Sequence, residues 1–142
     1  MMRIFSYQIK RALLVRLPPG DDLLAAITAV VEREQAMPAV FSVIGAVTNA
    51  SFGYYDQRRR IYKTLQRDGR FEIISCNGNS SLKDASILVH AHILFGDEQG
   101  ACCGGHLMSP TTICAAEMHL LELDGPAPER VYDETTGLFL WR

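Results

Sequence analysis

The 142-residue sequence predicts an α+β fold: a single domain, 1–142, in which a largely antiparallel sheet carries one main flanking helix. Three observations predict it. Only residues 22–35 hold a sustained helical repeat of apolar side chains. Runs rich in β-branched and aromatic residues follow one another after Pro38. Helical and strand-like segments do not alternate, as a parallel sheet with crossover helices would require. No linker, internal repeat or low-complexity tract divides the chain, and a domain of this length buries roughly 68–70% of the surface its unfolded chain exposes.

Taken in order, residues 8–17, "QIKRALLVRL", alternate in part and are stopped by Pro18-Pro19-Gly20, which predicts a first strand. Asp21 is the expected N-cap of the helix, whose stripe of Leu23, Leu24, Ile27, Val30 and Val31 faces away from Thr28, Glu32 and Arg33. The segment "AVFSVIGAVTNASFGYY" reads as a long buried strand kinked at Gly45 or Gly53. "RIYKTLQ", "RDG" and "FEIISCNG" read as a hairpin, because Asp-Gly is a strong turn signal. Strands over 86–95, 101–108 and 111–123 follow, and a closing hairpin turns around Thr136-Gly137. The helix covers one face of such a sheet, leaving the other face or an edge for subunit contact.

Composition narrows the function. The chain is 48% apolar and 21% charged, slightly greasy for a monomer, which leans toward an oligomer. Its formal net charge of −2 has the wrong sign for a domain that grips nucleic-acid phosphates along a broad face. Only a local patch, Arg58-Arg59-Arg60 followed by Lys63, Arg67 and Arg70, offers nucleic-acid contact, and the same residues read more readily as a solvated turn and strand edge. No apolar run approaches the roughly 18 residues that cross a bilayer, and Arg3, Lys10, Arg11 and Arg16 interrupt the first segment. A cytoplasmic protein is expected. Cys76, Cys102, Cys103 and Cys114 form no CxxC pair and read as small core residues.

The chemistry concentrates in "ILVHAHILFGDEQGACCGGHL", residues 87–107. Strand side chains alternate, so His90 and His92 share a face with Cβ atoms about 7 Å apart. A hairpin then returns the chain with His106. A five-residue loop over 96–100 sets His106 opposite His90, and a three-residue loop over 98–100 sets it opposite His92; both gather the three rings. A four-residue loop would face His106 away unless a bulge at Gly104-Gly105 restored the register. The same glycines would equally permit close backbone approach. Three neutral imidazoles suit Zn²⁺ or another divalent transition metal and leave one coordination position open. Glu117 lies on an adjacent expected strand, either as a partner for an imidazole N–H or as an exposed sheet residue. His119 has no evident tie to the trio. No GxSxG elbow, P-loop or dinucleotide fingerprint is present, and a nucleophile at Cys102 or Cys103 lacks an orienting group.

Four stretches, "LPPGDDLLAAI", "VIGAVTNASFGYY", "GRFEIISCNGN" over residues 69–79, and "HAHILFGDEQG" followed by "GGHL", give the chain a resemblance to the plant and prokaryote conserved (PPC) domain. The resemblance implies a trimer built on a mainly antiparallel sheet with a flanking helix. Prokaryotic members with the same histidines imply a bound metal, zinc, on His90, His92 and His106. Plant members lack these histidines, and the RGRP-type hook that enters an A·T minor groove is absent from this sequence. The expected function is therefore a trimeric metal-binding PPC protein acting as a DNA-associated or regulatory interaction module. Two alternatives stand beside it: a small zinc hydrolase or lyase using metal-bound water, and an assembly protein whose histidines staple a subunit interface.

Overall fold

The computed structural model describes residues 2–142. β1 (Gln8–Leu17) leads into α1 (Leu23–Glu34), and β2 (Ala39–Asp56), β3 (Ile61–Lys83), β4 (Ser86–Gly96), β5 (Cys102–Leu107) and β6 (Ile113–Asp124) follow. The chain closes with the small hairpin β7 (Arg130–Asp133) and β8 (Leu138–Trp141), as expected around Thr136-Gly137. The main sheet is antiparallel throughout, in the order β1-β6-β2-β3-β4-β5.

The 18-residue β2 is the spine. Its first half, Ala39–Val47, runs between β3 and β6. Its second half meets β3 on one side and β5 on the other, through Phe52 with Leu107 and Gly53 with His106. Strands β2, β3, β4 and β5 therefore close on themselves, which holds the short β5 along both edges.

Helix α1 buries Leu23, Ala26, Ile27 and Val31 against the sheet, packing on β4 and β1. Inward residues of the strands, among them Phe41, Val43, Ile93, Phe95, Met118 and Leu120, complete one core. Each such side chain contributes about 1.5–3 kcal/mol when fully buried. The helix N-cap is Asp22, one residue later than the sequence predicts. Its carboxylate accepts from Ala25 N (3.1 Å), Thr111 N (2.7 Å) and Ser109 Oγ (2.6 Å), tying the helix start to the β5–β6 connection. Asp21 contributes only its backbone carbonyl, to Ile113 N. Behind the helix, buried Glu122 accepts from Lys10 and Arg11, and Arg11 reaches on to the Glu34 carbonyl (2.5 Å).

The expected hairpin at Asp68-Gly69 does not form. β3 runs straight through it, because residues on both sides pair with the same strand: Gln66 with Ser51, Phe71 with Val47. Asp68-Gly69 is spent on a bulge, with Gly69 at φ 127°, a region that a side chain would disfavour. The reversal occurs earlier, over residues 57–60, where the Asp56 carboxylate accepts from Arg58 N and Arg59 N, both at 3.1 Å. Of the two kink candidates in β2, Gly45 sits at a register shift against β3.

A candidate three-histidine metal centre

The site follows from alternation on β4. Ala91, Ile93 and Phe95 are buried inward, which turns His90, His92 and Leu94 outward. The following loop closes over residues 98–100: Asp97 N donates to Ala101 O (2.9 Å), and the Asp97 carboxylate receives the amides of Gln99 and Ala101 (3.0 and 2.8 Å). This is the three-residue register, and it sets His106 opposite His92. No bulge interrupts the β4–β5 ladder, so Gly104-Gly105 serves close approach. A side chain at Gly104 would strike the carbonyl of Ile93 on β4, and one at Gly105 the carbonyl of Gly53 on β2. Glycine is required because β5 is squeezed between two backbones.

The rings form a nearly regular triangle, with centroids 5.2 Å apart for His90–His92, 4.9 Å for His90–His106 and 5.5 Å for His92–His106. One nitrogen from each lies within 4.8 Å of the others. A cation at the usual ~2.0–2.1 Å from each nitrogen needs ring adjustments of under about 1 Å. His90 and His106 are half-buried and His92 is exposed, so the triangle has a solvent-facing side. The donor set fits a transition metal on a further observation. His106 Nδ1 is buried without a hydrogen-bond partner, which costs about 1–3 kcal/mol unless a metal or an ordered group receives it.

Electrostatics keeps two of the rings neutral, the form a metal needs. Burial, reinforced by His106, Arg130 and His92, pushes His90 down to about 4. Burial, with His92 and Arg130, also lowers His106. In metal-free protein this makes stability pH-dependent. Between the ordinary histidine value of about 6.5 and about 4, the unfolded chain takes up a proton that folded His90 refuses. Stability is therefore insensitive to this ring above pH about 6.5 and falls progressively down to about 4, by on the order of 3 kcal/mol. Urea midpoints of the metal-free protein at pH 7.5 and 4.5 check this, and His90→Gln is expected to flatten the slope. Carboxylates such as Glu122, held low by Lys10 and Arg11, lose their contribution in a more acidic window.

Two neighbours of the triangle were not legible in the sequence. The Arg130 guanidinium lies 3.5 Å from His90 Nδ1 and donates to Ser81 Oγ (2.8 Å), Asn79 Oδ1 (3.1 Å) and the Phe139 carbonyl (3.2 Å). The Tyr62 ring stands 5.0 Å from that of His106. Arg130 arrives on a hairpin outside the main sheet, delivered by the parallel bridge of Glu129 to Leu82. No spacing rule reaches across that crossover.

The remaining sequence candidates lie apart. Glu117 is exposed on β6, opposite Arg16 and Ile44, and hydrogen-bonds to none of the histidines. His119 is exposed on the same strand, paired with Leu14 and Ser42. Cys103 packs against the core while His106 faces outward, and no cysteine joins the triangle. All cysteines are free, but Cys102 and Cys114 are exposed rather than in the core the sequence predicted. Arg58, Arg59 and Arg60 occupy the β2–β3 turn, and Arg70 lies roughly 30 Å of strand away. Lys63 between them is paired with Asp56 at 3.3 Å. The cations do not form one patch. No described helix is long and apolar enough to cross a membrane.

With the geometry in place, comparison with known proteins gives a consistent result. The chain is similar to the metal-containing protein AF0104 of Archaeoglobus fulgidus, at 41% identity over 99% of each chain with a TM-score of 0.94. It is similar to a plant- and prokaryote-conserved protein of Pyrococcus horikoshii, at 36% identity over 99% of this chain and 97% of that one, TM-score 0.91. A candidate DNA-binding protein of Bacteroides thetaiotaomicron, at 20% identity over 99% and 98% of the two chains, shares the fold with a TM-score of 0.86. No curated protein matches. A family model matches residues 5–124, and by that match the chain belongs to the Plants and Prokaryotes Conserved (PCC) domain family.

Proposed function

We propose that this protein is a homotrimeric, zinc-binding regulatory module of the cytoplasm, with His90, His92 and His106 as the metal ligands. The observation that carries this reading is the triangle itself: one nitrogen from each of three imidazoles within 4.8 Å of the others and no fourth protein ligand among the described residues. A zinc held this way keeps one position for water or an incoming ligand. The metal content of the Archaeoglobus fulgidus relative supports it, and free cysteines accord with a reducing compartment. Metal analysis of protein purified without a histidine tag tests the reading; about one zinc per chain is expected, and none retained at neutral pH would refute it.

The trimer draws on the family resemblance and on an exposed apolar patch. Ile44 (51% exposed), Ile74 (52%) and Leu94 (40%) are neighbours across β2, β3 and β4. Ile74→Asp is expected to reduce the mass measured by light scattering from three times the 15.8 kDa chain to one. A regulatory role is favoured over direct duplex binding, because the net charge is −2 and the basic residues are dispersed. A gel shift at physiological salt is expected to find no retarded duplex. The metalloenzyme reading has less support, since no carboxylate stands in the cluster as a general base.

A further inference from the structure

Beside the histidine triangle lies a cavity of about 260 Å³, bounded by His90, His106, Tyr62, Arg130, Lys83 and the apolar end of the β7–β8 hairpin. Its charge is one-sided. Arg130 and Lys83 line it, and no aspartate or glutamate does. Elsewhere the fold pairs Arg11, its other partly covered cation, with Glu122 and Glu34. Arg130 is half-buried, yet its partners are a hydroxyl, an amide oxygen, a backbone carbonyl and an imidazole, all uncharged. Lys83 rests its ammonium 3.6 Å from the centre of the Phe139 ring, and no carboxylate meets it among the described residues. A guanidinium removed from water without a counter-charge is costly, and burial accordingly lowers its proton affinity. The neutral hydrogen bonds fix its orientation without neutralising it.

We infer that this cavity binds a small organic anion, whose charged group lies against Arg130 and Lys83 and whose apolar part packs on Leu88, Val89, Leu138 and Leu140. The apolar walls exclude a bare inorganic ion as the best occupant. The volume, some nine waters' worth at about 30 Å³ each, limits the ligand to fewer than about ten non-hydrogen atoms. This builds on the zinc reading above, because His90 and His106 form one wall. It names what the module would sense: a short-chain carboxylate or phosphate ester.

The single tryptophan of the chain is the reporter, since the Arg130 guanidinium carbon lies 5.3 Å from the Trp141 ring centre. Full-length protein, zinc-loaded and metal-free, is titrated with hexanoate, butyl phosphate and hexylammonium while Trp141 fluorescence and zinc content are followed on the same samples. Both anions are expected to saturate and hexylammonium to give no saturable response; the stronger of the two anions identifies the head group. Arg130→Gln is expected to weaken hexanoate at least tenfold, and Arg130→Lys to restore part of the loss. Lys83→Gln, expected to weaken it about threefold, decides the matter should Arg130→Gln not fold. The inference is overturned by hexylammonium binding as well as hexanoate, by the folded variants binding hexanoate like the wild type, or by no saturable response in either form. Protein that binds the anions but retains no zinc when loaded would sink the zinc reading and leave this site standing; protein that retains zinc and binds neither anion would do the reverse.

Discussion

Replacing His92 with alanine is expected to empty the metal site while leaving the fold in place. His92 is exposed and belongs to the outward face of β4, so its removal opens no cavity in the core. It does remove one of only three ligands. Changing even a residue that merely supports a ligand costs about 10–100-fold in affinity, and losing a ligand outright costs more. Bound zinc should fall from about one per chain to below about a tenth. The thermal consequence follows by linkage: a ligand at 1,000 times its dissociation constant stabilises the native state by about 4 kcal/mol, on the order of 10 °C for a chain of this size. That increment should vanish in the variant, whose melting temperature should match that of the metal-free wild type. His119→Ala is the control, a histidine exposed on β6 and outside the triangle, and it should retain its zinc. Light scattering adds a second discrimination. An oligomer of unchanged mass is expected, whereas histidines that stapled an interface would release smaller species.

The legibility of this site depends on how far each residue lies from a local rule. His90 and His92 share a face through strand alternation, which needs no knowledge of the rest of the fold. His106 required only the length of one loop, and of the two favourable registers Asp97 selects the shorter by capping residues 99 and 101 with its carboxylate. The helix was legible for the same reason, being a local repeat, and only its cap differed by a residue. Asp68-Gly69 misled because local turn chemistry lost to pairing: β2 is long enough to template both flanks of the dipeptide, and the strand crosses it as a bulge. The true turn at residues 57–60 carried no glycine or proline signal, since its geometry comes from the side chain of Asp56. Arg130 and Tyr62 were illegible in principle. They reach the triangle through the β7–β8 hairpin and the closure of β5 onto β2, pairings that no short-range pattern encodes.

Gly104→Ala is the sharper test of how the fold makes the site, because it removes no histidine. A methyl group at this position points into the carbonyl of Ile93, a backbone atom that cannot rotate aside. The strain can be relieved only by moving β5 away from β4. β5 is also held by β2, however, where the neighbouring Gly105 already packs against the carbonyl of Gly53. Overpacking of this kind costs typically 1–3 kcal/mol. Here it acts on the ladder that carries both the His92–His106 pairing and the buried Leu107, Ile93 and Phe95. The expected result is therefore a double loss: a melting temperature lowered by roughly 5 °C or more in the absence of metal, and zinc affinity reduced at least tenfold. The two losses separate the mechanisms. His92→Ala should forfeit metal at constant metal-free stability, while Gly104→Ala should forfeit both, since the imidazoles converge only as closely as the two backbones allow. Retention of full zinc binding in folded Gly104→Ala protein would mean that the triangle tolerates a displaced strand, and that close approach of β5 to β4 does not position His106.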